Sequence, residues 1–118
     1  MKHFSNEFCE MQLYDQFVVL TINENIDLTL EKASIIRDKL TKFYKSKDFI
    51  MISNRKHKHN VSPQIYKEGQ LSNMKGLAIV STDNEERGKA EIEQSMYGRS
   101  FAFFTCLEEA KSWAEGYF

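Results

Sequence analysis

The sequence predicts an α/β domain, a mixed β-sheet covered by helices, on three observations. Short unbroken apolar runs, "FVVLTI" (17–22), "FIMIS" (49–53), "LAIV" (77–80) and "FAFF" (101–104), have the length and composition of buried strands. Amphipathic segments with helix-start residues lie between successive runs. The resulting order along the chain, ββαβαβαβα, repeats strand–helix–strand units, which demand right-handed crossovers and largely parallel neighbours, while an opening hairpin adds an antiparallel pair.

The elements follow in order. Phe8, Met11 and Leu13, then Phe17 to Ile22, form the hairpin, with Tyr14-Asp15-Gln16 as its turn. Asp27 or Thr29 caps the next helix by accepting an orphan first-turn N–H, and Leu30, Ala33, Ile36, Leu40 and Phe43 line one helical face. Phe49 to Ser53 is a buried strand, and a polar loop, 54–61, opens after it. Ser62 is a favoured N-cap and Pro63 suits the first helical position, where its missing N–H has no partner, so a short helix starts there and ends near Leu71 to Met74.

Leu77 to Val80 is a central strand. Asp83 with Glu86 has capping-box spacing for a helix over 84–97, closed by Gly98 at the position that wants a left-handed residue. Phe101 to Phe104 is the last strand. Thr105 and Glu108 repeat the capping-box spacing before a final helix that carries Leu107, Ala110 and Ala114 on one face, with Trp113 and Tyr117 beside them.

A chain of 118 residues and 13.9 kDa has room for one domain, and residues 1–118 are read as one, without linker, repeat or low-complexity tract. Hydrophobic residues at 42% exclude a disordered chain, and 28% charged residues with a mean hydropathy of -0.51 exclude membrane insertion. A net charge of -1 supplies no global field for nucleic acid. The first residues lack the apolar stretch of a signal peptide, so the chain is expected in the cytoplasm, where Cys9 and Cys106 stay thiols.

The stretches "NENIDLTLEKASIIRDKL", "FIMISNR", "MKGLAIVS" and "SFAFFTCLEEAKSWA", in this element order, resemble the STAS superfamily, whose SpoIIAA-like members include anti-sigma-factor antagonists and many small bacterial proteins of unassigned role. The resemblance covers nearly the whole chain and implies a SpoIIAA-like sheet and a regulatory, non-enzymatic role. In the antagonists a phosphorylatable serine sits in the turn after the third strand. Here that turn reads "SNRKHKHNVSPQIY", and Ser62 is its nearest match, without the acidic and small residues that mark the phosphosite. A bare N-cap explains Ser62 equally well. The resemblance extends to SEC14-like lipid-binding domains, although the chain is short for an enclosed acyl pocket.

Charge is segregated along the chain. Residues 37–58 hold eight basic and two acidic side chains, whereas residues 83–94 hold five acidic and two basic. The loop with Arg55, Lys56, His57, Lys58 and Ser62 is the candidate anion- or partner-binding site, because it follows the carboxyl end of a strand and precedes helix N–H groups. It has no glycine-rich cradle, and a solvated loop is the plain alternative.

His57 and His59 lack a third ligand and sit among lysines, so no metal is expected. Cys106 lies near a helix start, but no histidine stands close in sequence to act as its base. The carboxylate pairs Glu85-Glu86 and Glu108-Glu109 complement helix dipoles. Phe101, Phe103, Phe104, Trp113 and Tyr117 crowd one region with more apolar surface than a small sheet hides, a candidate interface for a homodimer.

These readings give a non-enzymatic regulatory or protein-interaction domain without a cofactor, whose partner is a regulatory protein or a small anionic ligand. The alternative is a carrier of a small apolar or lipid-like ligand in an enclosed, aromatic-lined pocket with polar groups converging on it.

Overall fold

The computed structural model describes residues 1–57, 60–61, 64–67 and 70–118. Its order is β1 (Lys2–Ser5), β2 (Cys9–Leu13), β3 (Phe17–Ile22), β4 (Asp27–Leu28), α1 (Leu30–Tyr44), β5 (Phe49–Asn54), β6 (Asn60–Val61), α2 (Gln64–Lys67), β7 (Met74–Val80), α3 (Asn84–Tyr97), β8 (Ser100–Phe104) and α4 (Leu107–Tyr117). Six strands form one mixed sheet in the order β1-β2-β3-β5-β7-β8, and β4 pairs with β6 as a separate two-stranded patch. β1, β2 and β3 are antiparallel neighbours, and from β3 onward every added strand is parallel to the last. The expected α/β class and mixed sheet are therefore present.

The central strands β3, β5 and β7 exist because their apolar runs are covered on both faces. On one face Val18, Leu20 and Ile22 pack against Ile36, Leu40 and Tyr44 of α1, and Leu77 and Ile79 pack against Ala90 and Tyr97 of α3. On the other, Phe17, Val19, Ile50, Ile52, Ala78 and Val80 meet Ala110 and Ala114 of α4, whose small side chains let that helix lie close to the sheet. Alternate residues of β3, β5 and β7 thus face opposite cores, which is why these strands read as continuous apolar runs instead of alternating ones. The accessible surface, 6574 Å², matches the roughly 6,700 Å² expected for a folded chain of this mass.

The turn at Tyr14 to Phe17 is closed by the Tyr14 N–H donating to the Phe17 carbonyl at 2.9 Å, and the two rings stack with centroids 4.5 Å apart. Of the two candidate caps for α1, Thr29 serves, accepting from the Lys32 N–H at 3.2 Å. α3 runs over the expected residues and ends at Gly98 with φ 75.

Four local expectations are corrected. The N-terminus, where the sequence gives no element before the hairpin at Phe8, is strand β1: Phe4 packs on the core, and pairing with β2 supplies what one apolar residue in four does not signal. The α3 capping box is half made. Asp83 accepts from the Glu85 N–H at 2.8 Å, but Glu86 turns inward. α4 is capped by Cys106 and not by Thr105, with no side-chain hydrogen bond, and Glu108 pairs instead with Lys111 at 3.8 Å. The helix expected from Pro63 to about Leu71 is described only over Gln64–Lys67, and Pro63 itself lies outside the described residues.

Candidate functional site

The strand succession places α1, α2 and α3 over one face of the sheet, and between them lies a cavity of about 100 Å³. Its floor is β3, β5 and β7 through Leu20, Met51 and Ile79, and α1 contributes Ala33, Ile36 and Leu40. Leu28 and Val61, paired in register across the β4–β6 patch, close one rim, because the short strands tie the segment before α1 to the loop after β5. The described lining is mainly aliphatic, with Tyr66 and Tyr97 as its aromatic residues and Ser53 and Gln70 among its polar ones.

Polar groups converge on this wall. Arg37, half-buried on α1, reaches the cavity and has no acidic partner among the described residues. Beyond it stands a buried ionic cluster. Arg55 is 8% exposed, Glu86 1% and Glu93 5%. Arg55 Nη1 donates to Glu93 Oε2 at 2.5 Å, and Nη2 donates to the other oxygen of the same carboxylate. Nη1 also approaches Glu86 Oε2 at 3.5 Å, and Nε approaches Ser53 Oγ at 3.5 Å. The Tyr66 hydroxyl donates to Glu93 Oε1, and Lys89 reaches Glu86 at 3.3 Å. Two cations thus face two carboxylates, and among the described residues no buried side-chain polar atom lacks a partner.

The cluster fixes protonation states. Burial works against the Arg55 charge, but the hydrogen bond and charge of Glu93, with Tyr66 and Glu86, outweigh it and raise the pKa above its ordinary value. Burial, then the Glu93 carboxylate, raises Tyr66 far above the usual phenol range, so it remains a hydrogen-bond donor. Tyr97, whose hydroxyl donates to the Met74 carbonyl at 3.2 Å, is pushed up to about 12, chiefly by burial.

The candidate loop is thereby split. Arg55 is a buried residue whose guanidinium is taken up by Glu93 and Glu86, so its charge is internal. Lys56 is exposed and His57 half-buried, while Lys58 and Ser62 lie outside the described residues, as does His59. Among the described residues no three His, Cys, Asp or Glu side chains gather in a way that holds a metal ion.

The C-terminal aromatics divide between the two faces. Phe101 and Phe103 pack toward α3, and Arg87 lies 5.0 Å over the Phe103 ring. Phe104 meets Trp113 on the α4 face at 5.9 Å, and Tyr117 is 42% exposed. Cys106 is exposed and Cys9 is buried.

Glu86, Glu93, Tyr66 and Arg37 were not singled out as site residues from the sequence. The signal was available in part. Glu86, Ala90, Glu93 and Tyr97 recur at helical spacing, so two acids lie on the stripe that α3 buries, and an acid on a buried stripe requires a cation from elsewhere. No helix among the described residues is long and apolar enough to cross a membrane. Comparison of the chain with protein-family models, curated proteins and solved structures finds no match.

Proposed function

We propose that this chain is a non-enzymatic, cytoplasmic regulatory domain of the STAS/SpoIIAA-like kind that binds a small amphipathic acid in the cavity under α1 and α2. The succession of parallel strands joined by helices supports the fold-family part of this reading. One observation carries the ligand: an apolar cavity of about 100 Å³ with a guanidinium, Arg37, on its wall that has no acidic partner among the described residues.

The volume limits what enters. A dry cavity of about 150 Å³ holds the six carbons of benzene, so 100 Å³ holds about four carbons at the same density. A carboxylate at Arg37 with a four-carbon tail inside, or the tip of a longer chain, fits that space. Buried Arg55 and half-buried Tyr66 then act as wall, because both are committed to Glu93.

Calorimetric titration of the chain with pentanoate, pentanol and acetate tests this. Pentanoate is expected to bind with Kd about 1 mM, a normal efficiency for seven heavy atoms, and the other two more weakly. Arg37→Gln is expected to remove the preference for the acid over the alcohol, and Ala33→Met to weaken both by filling the space. Equal binding of acid and alcohol by the unaltered chain contradicts the assignment.

A second reading, a protein partner with an acidic face, draws on the exposed Lys42, Lys45 and Lys56 within the basic segment. It predicts binding that weakens as salt rises and that survives Arg37→Gln.

A further inference from the structure

The two outer strands of the sheet differ in how they are guarded. β1 carries Lys2 and His3, with His3 3.7 Å from Glu10 on the neighbouring strand, and charged side chains on an outer strand discourage pairing with another chain. β8, Ser100–Phe104, carries no charge, no proline and three phenylalanines. A strand of this composition at the edge of a sheet is a template for another strand.

Alternation of the backbone states which groups are free. The Phe104 carbonyl accepts from the Ser81 N–H at 3.0 Å, so it points into the sheet. Residues two apart point the same way, hence Ala102 and Ser100 also face β7. Phe101 and Phe103 direct their N–H and C=O groups outward, where no strand among the described residues meets them.

We infer that β8 pairs antiparallel with the β8 of a second copy of this chain about a two-fold axis at Ala102, joining two six-stranded sheets into one. In that register Phe101 faces the partner's Phe103, and Phe103 faces the partner's Phe101. These are the residues whose polar groups point outward, and each facing pair exchanges two N–H···O=C bonds. Ala102 meets its own copy in the close, non-hydrogen-bonded position, about 4.5 Å between Cα atoms, where a small side chain fits.

Charge agrees. Beside β8 and under α3 runs a groove of about 140 Å³ whose lining includes Arg87, Glu91, Gln94, Phe101 and Phe103. A two-fold axis reverses the order of Arg87 and Glu91 on the facing α3. Each guanidinium then comes near the partner's acidic turn, and the set of four charges is neutral.

Sedimentation velocity from about 1 µM to about 1 mM, the range in which small interfaces assemble, is the test, together with amide exchange at the highest concentration. The unaltered chain is expected to pass from monomer to dimer, with the Phe101 and Phe103 amides slowing as it does. Phe103→Pro removes an outward N–H but no bond to β7, and Ala102→Lys places two cations at the axis. Each is expected to weaken association at least about tenfold with an unchanged circular dichroism spectrum. Ile92→Ser, at an α3 residue 62% exposed and outside the groove, is expected to leave it unchanged. A monomer throughout, or a dimer whose Phe101 and Phe103 amides exchange freely, overturns the inference.

Discussion

Arg55 and Glu93, 38 residues apart in the chain, form a two-pronged ion pair in the interior, at the seam between the loop after β5 and the buried stripe of α3. The pair joins the segment that shapes the cavity to the helix that borders the β8 edge. Removing one partner leaves the other charged and out of water, which is far more costly than losing a surface pair.

Arg55→Met is therefore expected to destabilise the fold by about 3–5 kcal/mol in urea unfolding, because Glu86 and Glu93 lose their shared cation. Lys47→Met, at the exposed pair with Asp15, is expected to change stability by less than about 1 kcal/mol. Similar effects from the two substitutions count against the importance of burial here.

Lys45, the residue that ends α1, has φ 57 and ψ -114, a conformation that suits glycine and strains a side-chain-bearing residue. Lys45→Gly is expected to raise stability by about 1 kcal/mol, read as a higher urea midpoint with unchanged slope. A lowered midpoint contradicts the strain.

A Cβ on Gly76 would stand 2.7 Å from Ile50 Cδ1 and 3.3 Å from the Ser100 carbonyl oxygen. Gly76→Ala is therefore expected to cost about 1–3 kcal/mol, since Ile50 is fully buried and the oxygen belongs to β8 backbone. Gly88→Ala, with open space around the added carbon, is expected to stabilise α3 by about 0.5–1 kcal/mol. Thermal unfolding of the two variants reads the difference in sign.

Alkaline pH is expected to weaken the fold. Burial pushes the Cys9 thiol up to about 11 and Tyr97 up to about 12, and raises Tyr44 and Tyr66 as well. The folded chain holds these protons more tightly than the unfolded chain, whose groups ionise near about 8.5 for Cys and about 10 for Tyr. Stability is thus complete below about pH 8 and falls as pH rises, by at most about 1.4 kcal/mol per unit for each group. In Cys9→Ala the fall is expected to begin only near about pH 10. Urea unfolding from about pH 7 to about pH 11 measures both curves, and a flat profile contradicts the burial of these groups.

Periodicity made the sheet and its main helices legible, because runs such as Phe49 to Ser53 and stripes such as Ala33, Ile36 and Leu40 report burial directly. β1 was hidden because its stability comes from its neighbour, not from its own residues. Arg55 was visible as a cation but not as a buried one, since its partners Glu86 and Glu93 arrive from α3, 31 and 38 residues further along the chain. The cavity had no local signature at all. It arises where β4 and β6, each two residues long, bring Leu28 and Val61 together across a crossover.

Methyl chemical shifts recorded during a pentanoate titration decide whether the cavity takes the tail of a small acid while Arg37 holds its head. Saturable shifts are expected, confined to cavity methyls such as those of Leu40, Ile65 and Ile79. With Arg37→Gln, the same methyls are expected to need several-fold more pentanoate to saturate. Shifts that never saturate, or that cluster instead on the exposed basic surface around Lys42 and Lys56, would contradict it.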